Sequence, residues 1–137
     1  MNTISVDEFK VKDRETYEKF MDSNSGSGNL KIRATFASEA LPVNDLNITV
    51  TTVIDDYKVI FFEGNTDSSG MIMNLSLPAP KIDSDNLIVP SAIKYEITAN
   101  YFGDINKVFD ISMYDGICVV QNITLVPDKK RTDAYGS

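Results

Sequence analysis

The 137-residue chain has no histidine, no tryptophan and a single cysteine. Histidine is the commonest general base near neutral pH and the commonest transition-metal ligand, so Ser-His-Asp, Cys-His and zinc-histidine chemistries are excluded. One cysteine forbids an internal disulfide, and the fold must hold without an oxidising compartment. Cys118 itself stands in an apolar-rich stretch and is expected to be a small buried hydrophobe, not a reactive thiol. Basic residues are also scarce: 13 Lys and Arg face 20 Asp and Glu, for a net charge of −7. That balance opposes nucleic acid and anionic membrane as partners.

Long hydrophobic runs are missing too. The N-terminus, MNTISVDEFKVKDRETYEKF, is rich in acids and has no apolar run of signal-peptide or membrane-span length. Export by the usual route is therefore not expected, and the chain is expected in the cytoplasm or built into a virion- or spore-associated particle. The three Asn-x-Ser/Thr sites, at Asn47, Asn74 and Asn122, then read as ordinary strand residues.

What is present is alternation. In IKYEITANYF, Ile93, Tyr95, Ile97, Ala99 and Tyr101 share one parity while Lys94, Glu96, Thr98 and Asn100 share the other. This is the signature of a strand with one wet face. Val108, Phe109, Ile111 and Met113 then lead into Tyr114-Asp115-Gly116, which reads as a tight hairpin turn returning through Ile117, Val119, Gln121, Ile123 and Leu125 to Pro127. Upstream, Leu30, Ile32, Ala34 and Phe36 point inward with Lys31, Arg33 and Thr35 outward. Further strands follow at Leu46 to Thr52, at Tyr57 to Phe62 (Ile60 and Phe62 on the parity opposite to Phe61), and at Met71 to Leu77. Seven short strands with regular turn signals predict a mainly β protein, a seven-stranded antiparallel two-sheet sandwich.

Ahead of the sandwich, RETYEKFMD spaces Tyr17, Phe20 and Met21 as one face of a short amphipathic helix, with Asp13 as its N-cap. A helix this short is marginal alone, so its stripe must dock on its own sandwich or on another molecule, which makes Tyr17, Phe20 and Met21 the candidate partner contacts. The preceding residues through Phe9 and Val11 read as an arm or short extended piece. SNSGSG, Ser23 to Gly28, reads as a flexible linker. The expected organisation is an arm over residues 1–27, a sandwich over 28–127 and a polar tail over 128–137.

Several landmarks recur in a fixed order: Gly28-Asn29-Leu30-Lys31-Ile32-Arg33-Ala34, Leu41-Pro42-Val43, Asn47-Ile48-Thr49-Val50, Thr66-Asp67-Ser68-Ser69-Gly70, Leu77 to Pro80, Tyr95-Glu96-Ile97 and Tyr114-Asp115-Gly116. Together, from about Tyr17 to Pro127, they resemble the carboxypeptidase-regulatory-like, transthyretin-like sandwich, most of all the accessory domain of spore-cortex-lytic enzymes and related cell-wall proteins of spore-forming bacteria. Ala99-Asn100-Tyr101-Phe102-Gly103 keeps only part of the family's glycine-rich turn, and no lytic module accompanies the domain here. The resemblance implies a non-catalytic module and assigns no catalytic residue.

The acids that would serve a hydrolase, Asp55, Asp56, Asp67, Asp83, Asp85, Asp104, Asp110 and Asp115, fall mostly in turns, where Asp is favoured for local backbone bonding. Calcium is the one cofactor left open, with Asp83-Ser84-Asp85-Asn86 or Asn65-Thr66-Asp67-Ser68 offering oxygens, though neither run matches an EF-hand loop. The basic run Lys129-Lys130-Arg131 reads as a solvated tail able to meet an acidic partner. The leading expectation is a structural or protein-interaction module of a larger assembly, of the phage tail or baseplate kind or a sporulation or cell-wall complex. The alternative is a peptidoglycan- or carbohydrate-binding accessory to a lytic enzyme, with Tyr57, Tyr101 and Tyr114 as stacking faces.

Overall fold

The computed structural model describes residues 1–37, 41–82, 92–103 and 105–126. Eight strands and two helices follow in the order β1 (Asn2–Ser5), α1 (Val6–Lys12), α2 (Arg14–Ser23), β2 (Gly26–Phe36), β3 (Asn47–Ile54), β4 (Tyr57–Asn65), β5 (Met71–Ala79), β6 (Ile93–Tyr101), β7 (Ile105–Met113) and β8 (Cys118–Leu125). They form a five-stranded sheet, β1-β4-β3-β6-β7, facing a three-stranded sheet, β5-β2-β8. Neighbouring strands are antiparallel except β1 with β4 and β2 with β8.

The core lies where alternation places it. Leu30, Ile32 and Ala34 of β2, Ile48 and Val50 of β3, Tyr95, Ile97 and Ala99 of β6, and Ile123 and Leu125 of β8 form one buried cluster between the sheets. Tyr95 is fully buried and its hydroxyl donates to the Pro78 carbonyl on β5 at 2.6 Å, tying the layers together. Burial raises its pKa above the ordinary tyrosine range, because the phenolate would lose its water.

The smaller sheet cannot cover the β1-β4 end of the larger one, and the N-terminal segment does so instead. Ser5 caps α1 by accepting from the Glu8 N–H, with Asp7 and Glu8 in its first turn and Lys10 and Lys12 in its last, all favourable to the helix dipole. Asp13 caps α2 as the sequence predicts, accepting from the Thr16 N–H and the Thr16 hydroxyl. Phe9 is fully buried against Ile54 and Val59, edge-on to Tyr57 at 5.7 Å, and Phe20 lies 5.7 Å from Phe61. Two helices of 7 and 10 residues are too short to persist alone, so this burial is what keeps them folded. The N-terminal arm is therefore an edge strand and two helices.

Three further readings change. SNSGSG does not form a flexible linker: Ser23 ends α2, and Gly26, Ser27 and Gly28 pair with Ala79, Pro78 and Leu77. The expected boundary between residues 27 and 28 falls inside β2. Gly28 is there for close approach, since a Cβ on it would meet Met113 Sδ at 2.3 Å and the Tyr114 carbonyl at 2.5 Å. Tyr114-Asp115-Gly116 does not close a hairpin either. It carries the chain from β7 in one sheet to β8 in the other, where Asp115 accepts from the Ser27 and Ile82 N–H groups and Gly116 N–H donates to the Ser27 carbonyl. Lastly, a β-bulge in β4, where Val50 pairs with Phe62 but Thr51 with Ile60, brings both Phe61 and Phe62 against the core. The proposed tail, residues 128–137, lies outside the described residues.

Candidate functional site

Among the described residues, the sequence-selected acids do not assemble into a reactive centre. Asp67 Oδ1 accepts from the Ser69 and Met71 N–H groups and shapes the turn before β5. Asp115 holds three segments together, and the N–H groups of Ile82 and then Ser27, with Lys81 nearby, hold its carboxyl below the ordinary carboxylate value. Asp55, at φ 53°, and Asp56 are exposed in the β3–β4 turn. Asp110 sits on the outer side of β7, while Asp83, Asp85 and Asp104 lie outside the described residues. Of the two calcium-loop candidates, the first also lies outside them. In the second, Thr66 Oγ1 donates to the Val43 carbonyl and accepts from Leu46 N–H, and Asn65 Oδ1 accepts from Asn47. No group of three or more Cys, Asp or Glu side chains comes together as a metal site among the described residues.

The helical stripe is placed on the protein's own sheet. Tyr17 and Phe20 pack against the Phe9–Ile54–Val59 cluster, and Met21 is half-buried. Two of the three candidate stacking tyrosines are also engaged, Tyr57 under Lys12 and against Phe9, and Tyr101 against Phe36 and Phe102, while Tyr114 is half-buried in the β7–β8 connection. Cys118 is exposed and not buried, because the first residue of β8 points away from the core.

A cleft of about 570 Å³ opens where β3 and β6 part company beyond the pair Thr51–Glu96. Beyond that pair, the Thr52 hydroxyl donates to the Lys94 carbonyl at 2.8 Å. Lys58 Nζ meets Glu96 Oε1 at 2.5 Å across the mouth, and Asp110 is the cross-strand neighbour of Glu96. The hydroxyl of Thr51 is buried with no hydrogen-bond partner among the described residues. Lys58 and Glu96 are 38 residues apart, and only the register of β4, β3 and β6 brings them together. The single legible signal was the wet parity of Glu96 on its strand.

The four sheet edges differ. β1 is 4 residues long, and β5 carries Pro78 and a bulge in which Met73 and Asn74, the latter at φ 56°, oppose the single residue Lys31. Both devices discourage a further strand. β7 and β8, of 9 and 8 residues, have neither proline nor bulge, and among the described residues each pairs on one side only. In β8 the Ala37 N–H donates to the Leu125 carbonyl, which sets the phase of the ladder with β2. Val119, Gln121, Ile123 and Leu125 thus turn their main chain to β2, and Val120, Asn122 and Thr124 turn theirs outward.

No protein-family model matches the chain, and no curated protein matches its sequence. Solved structures do match its shape. The Klebsiella pneumoniae 5-hydroxyisourate hydrolase aligns at a TM-score of 0.52 and 14% identity over 74% of this chain and 91% of the other. An (S)-allantoin synthase aligns at 0.55 and 12% identity, over 77% of this chain and 43% of the other. Both are named as enzymes, which overturns the expectation that this scaffold implies a module without catalysis. At such identities the likeness is one of fold, and a fold hosts many activities. The chain has the transthyretin-like two-sheet sandwich fold, with short helices at its N-terminus.

Proposed function

We propose that the chain is a protein-interaction module of a larger assembly that engages its partner along an open sheet edge. The observation that carries this reading is the contrast among the edges: two are blunted by shortness, proline or a bulge, while β7 and β8 present unbroken main chain. Such an edge offers N–H and C=O groups in register to an incoming strand, giving affinity through the main chain and selectivity through alternate side chains. The partner contact moves from the helical stripe to the sheet, since Tyr17 and Phe20 already pack on the module itself. A phage tail or baseplate particle, or a sporulation or cell-wall complex, is the proposed setting. The finer kinship to the accessory domain of spore-cortex-lytic enzymes belongs to this proposal and would place the module at the wall.

The test is a photo-reactive side chain placed in turn at Val108, Val120 and Glu18 in cells that make the protein, with mass spectrometry of the products. One identified protein cross-linked from an edge position supports the reading. Cross-links from Glu18 alone, or none at all, contradict it. Co-sedimentation with purified peptidoglycan that survives substitution at both edges would favour the glycan-binding alternative.

A further inference from the structure

We infer that β8 is the docking edge and that the segment it accepts is extended and acidic. This rests on the reading of the chain as an interaction module and specifies its partner's chemistry.

The first observation is the composition of the smaller sheet. In a protein of net charge −7, the strands β5, β2 and β8 contain no Asp or Glu at all, and their only charged residues are Lys31 and Arg33. Both belong to the outward parity of β2, and their register partners on β8 are Val120 and Asn122. Val120 is 52% exposed, so nothing charged stands between the two cations and the edge. Adjacent strands run about 4.8 Å apart. An incoming strand would lie two strands from β2, within reach of long basic and acidic side chains extended across Val120 and Asn122.

The second observation concerns the edge itself. Lys107 reaches over from β7 and its ammonium donates to the Thr124 carbonyl at 2.5 Å, while the Gln121 side-chain amide donates to the Asn122 carbonyl at 3.1 Å. Two of the outward carbonyls of β8 are thus held by exposed side-chain donors that can swing away when a strand arrives. Lys107 adds a third cation beside the edge.

Charge also decides against a second copy. Two β8 strands paired about a two-fold axis would set Lys31 and Arg33 of one small sheet three strand spacings, about 14 Å, from the same cations of the other, a repulsion with no acid on either small sheet to offset it. An acidic strand meets complementary charge along the same path. β7 is the weaker edge for this partner, because it carries Asp110.

The test uses the full-length chain and two fluorescein-labelled peptides, one alternating valine with glutamate and one alternating valine with lysine. The inference predicts that the glutamate peptide binds, that added salt weakens it, and that hydrogen exchange slows at Val120, Asn122 and Thr124 on binding. The double substitution K31E/R33E, on exposed or half-exposed positions outside the core, is predicted to weaken the glutamate peptide about tenfold or more and to favour the lysine peptide. The single substitution V120P removes an outward N–H and is predicted to abolish binding. Equal or tighter binding of the lysine peptide overturns the inference, as does protection that appears on β7, β8 amides already protected in the free chain, or a dimer that forms through β8. A partner cross-linked from Val108 and not from Val120 would leave the interaction reading standing while removing this one.

Discussion

Replacing Tyr95 by phenylalanine deletes one hydroxyl from the centre of the molecule and leaves the ring in place. That hydroxyl is the hydrogen bond from β6 to Pro78 of β5, and it joins the two sheets. Losing it costs the bond and leaves a carbonyl without its donor, about 1–2 kcal/mol in all. In a chain of this size each kcal/mol lowers Tm by about 3–5 °C. The pH dependence makes the expectation sharper. Burial raises the pKa of Tyr95 in the folded state, whereas in the unfolded chain it ionises near the ordinary value of about 10. The contribution of the neutral phenol is fully present below that ordinary value and is lost as pH rises above it, because the unfolded state then gains by releasing the proton. Phenylalanine has no such loss. Urea melts of both proteins from neutral to strongly alkaline pH should show Y95F less stable at neutrality, with the gap closing as pH climbs past the tyrosine range. A variant as stable as wild type at neutral pH, or a gap that ignores pH, would refute the inter-sheet tie.

Three other outcomes follow from the packing. Gly70 holds φ 74°, and a Cβ there would sit 2.4 Å from the Ala34 carbonyl oxygen, so Gly70→Ala should cost about 2 kcal/mol or more, read from denaturant midpoints. Phe9→Ala empties a fully buried site under the helices and should cost about 3–5 kcal/mol locally, with hydrogen exchange rising over β1, α1 and α2 while β2 and β6 stay protected. Asp115→Asn should destabilise at neutral pH, because the carboxylate serves two N–H donors and its pKa is depressed. That stability is present above the ordinary carboxylate value and disappears as pH falls through the folded one, so the two proteins should converge in acid melts.

Strands with unbroken alternation could be read from the sequence alone: β6 and β2 bury the residues their parity demands. The misreadings came from positions where local composition has two physical uses. Glycine and serine at Gly26 to Gly28 suit a flexible linker, but they equally suit a strand crossed closely by Met113 and Tyr114. A Tyr-Asp-Gly turn suits a hairpin, and it also suits a step between sheets once Asp115 finds N–H groups on two other segments. β1 and α1 carry too few apolar residues to announce themselves, and their stability comes from Phe9 burying against β3 and β4. The bulge that turns Phe62 to the core has no signature in the period of β4. On the functional side, Lys31 and Arg33 were legible as outward residues. That β8 lies beside them as an edge follows from a parallel pairing of Lys31 with Val120 and Arg33 with Asn122, 89 residues away in sequence, which no local pattern encodes.

The open edge of β8 is tested most directly by hydrogen exchange in the free chain, followed amide by amide along the strand. An open edge gives alternation, with Val119, Gln121 and Ile123 slow because their main chain faces β2, and Val120, Asn122 and Thr124 fast because theirs faces outward. Uniform protection of all six would mean that the edge is already taken, and would contradict the account.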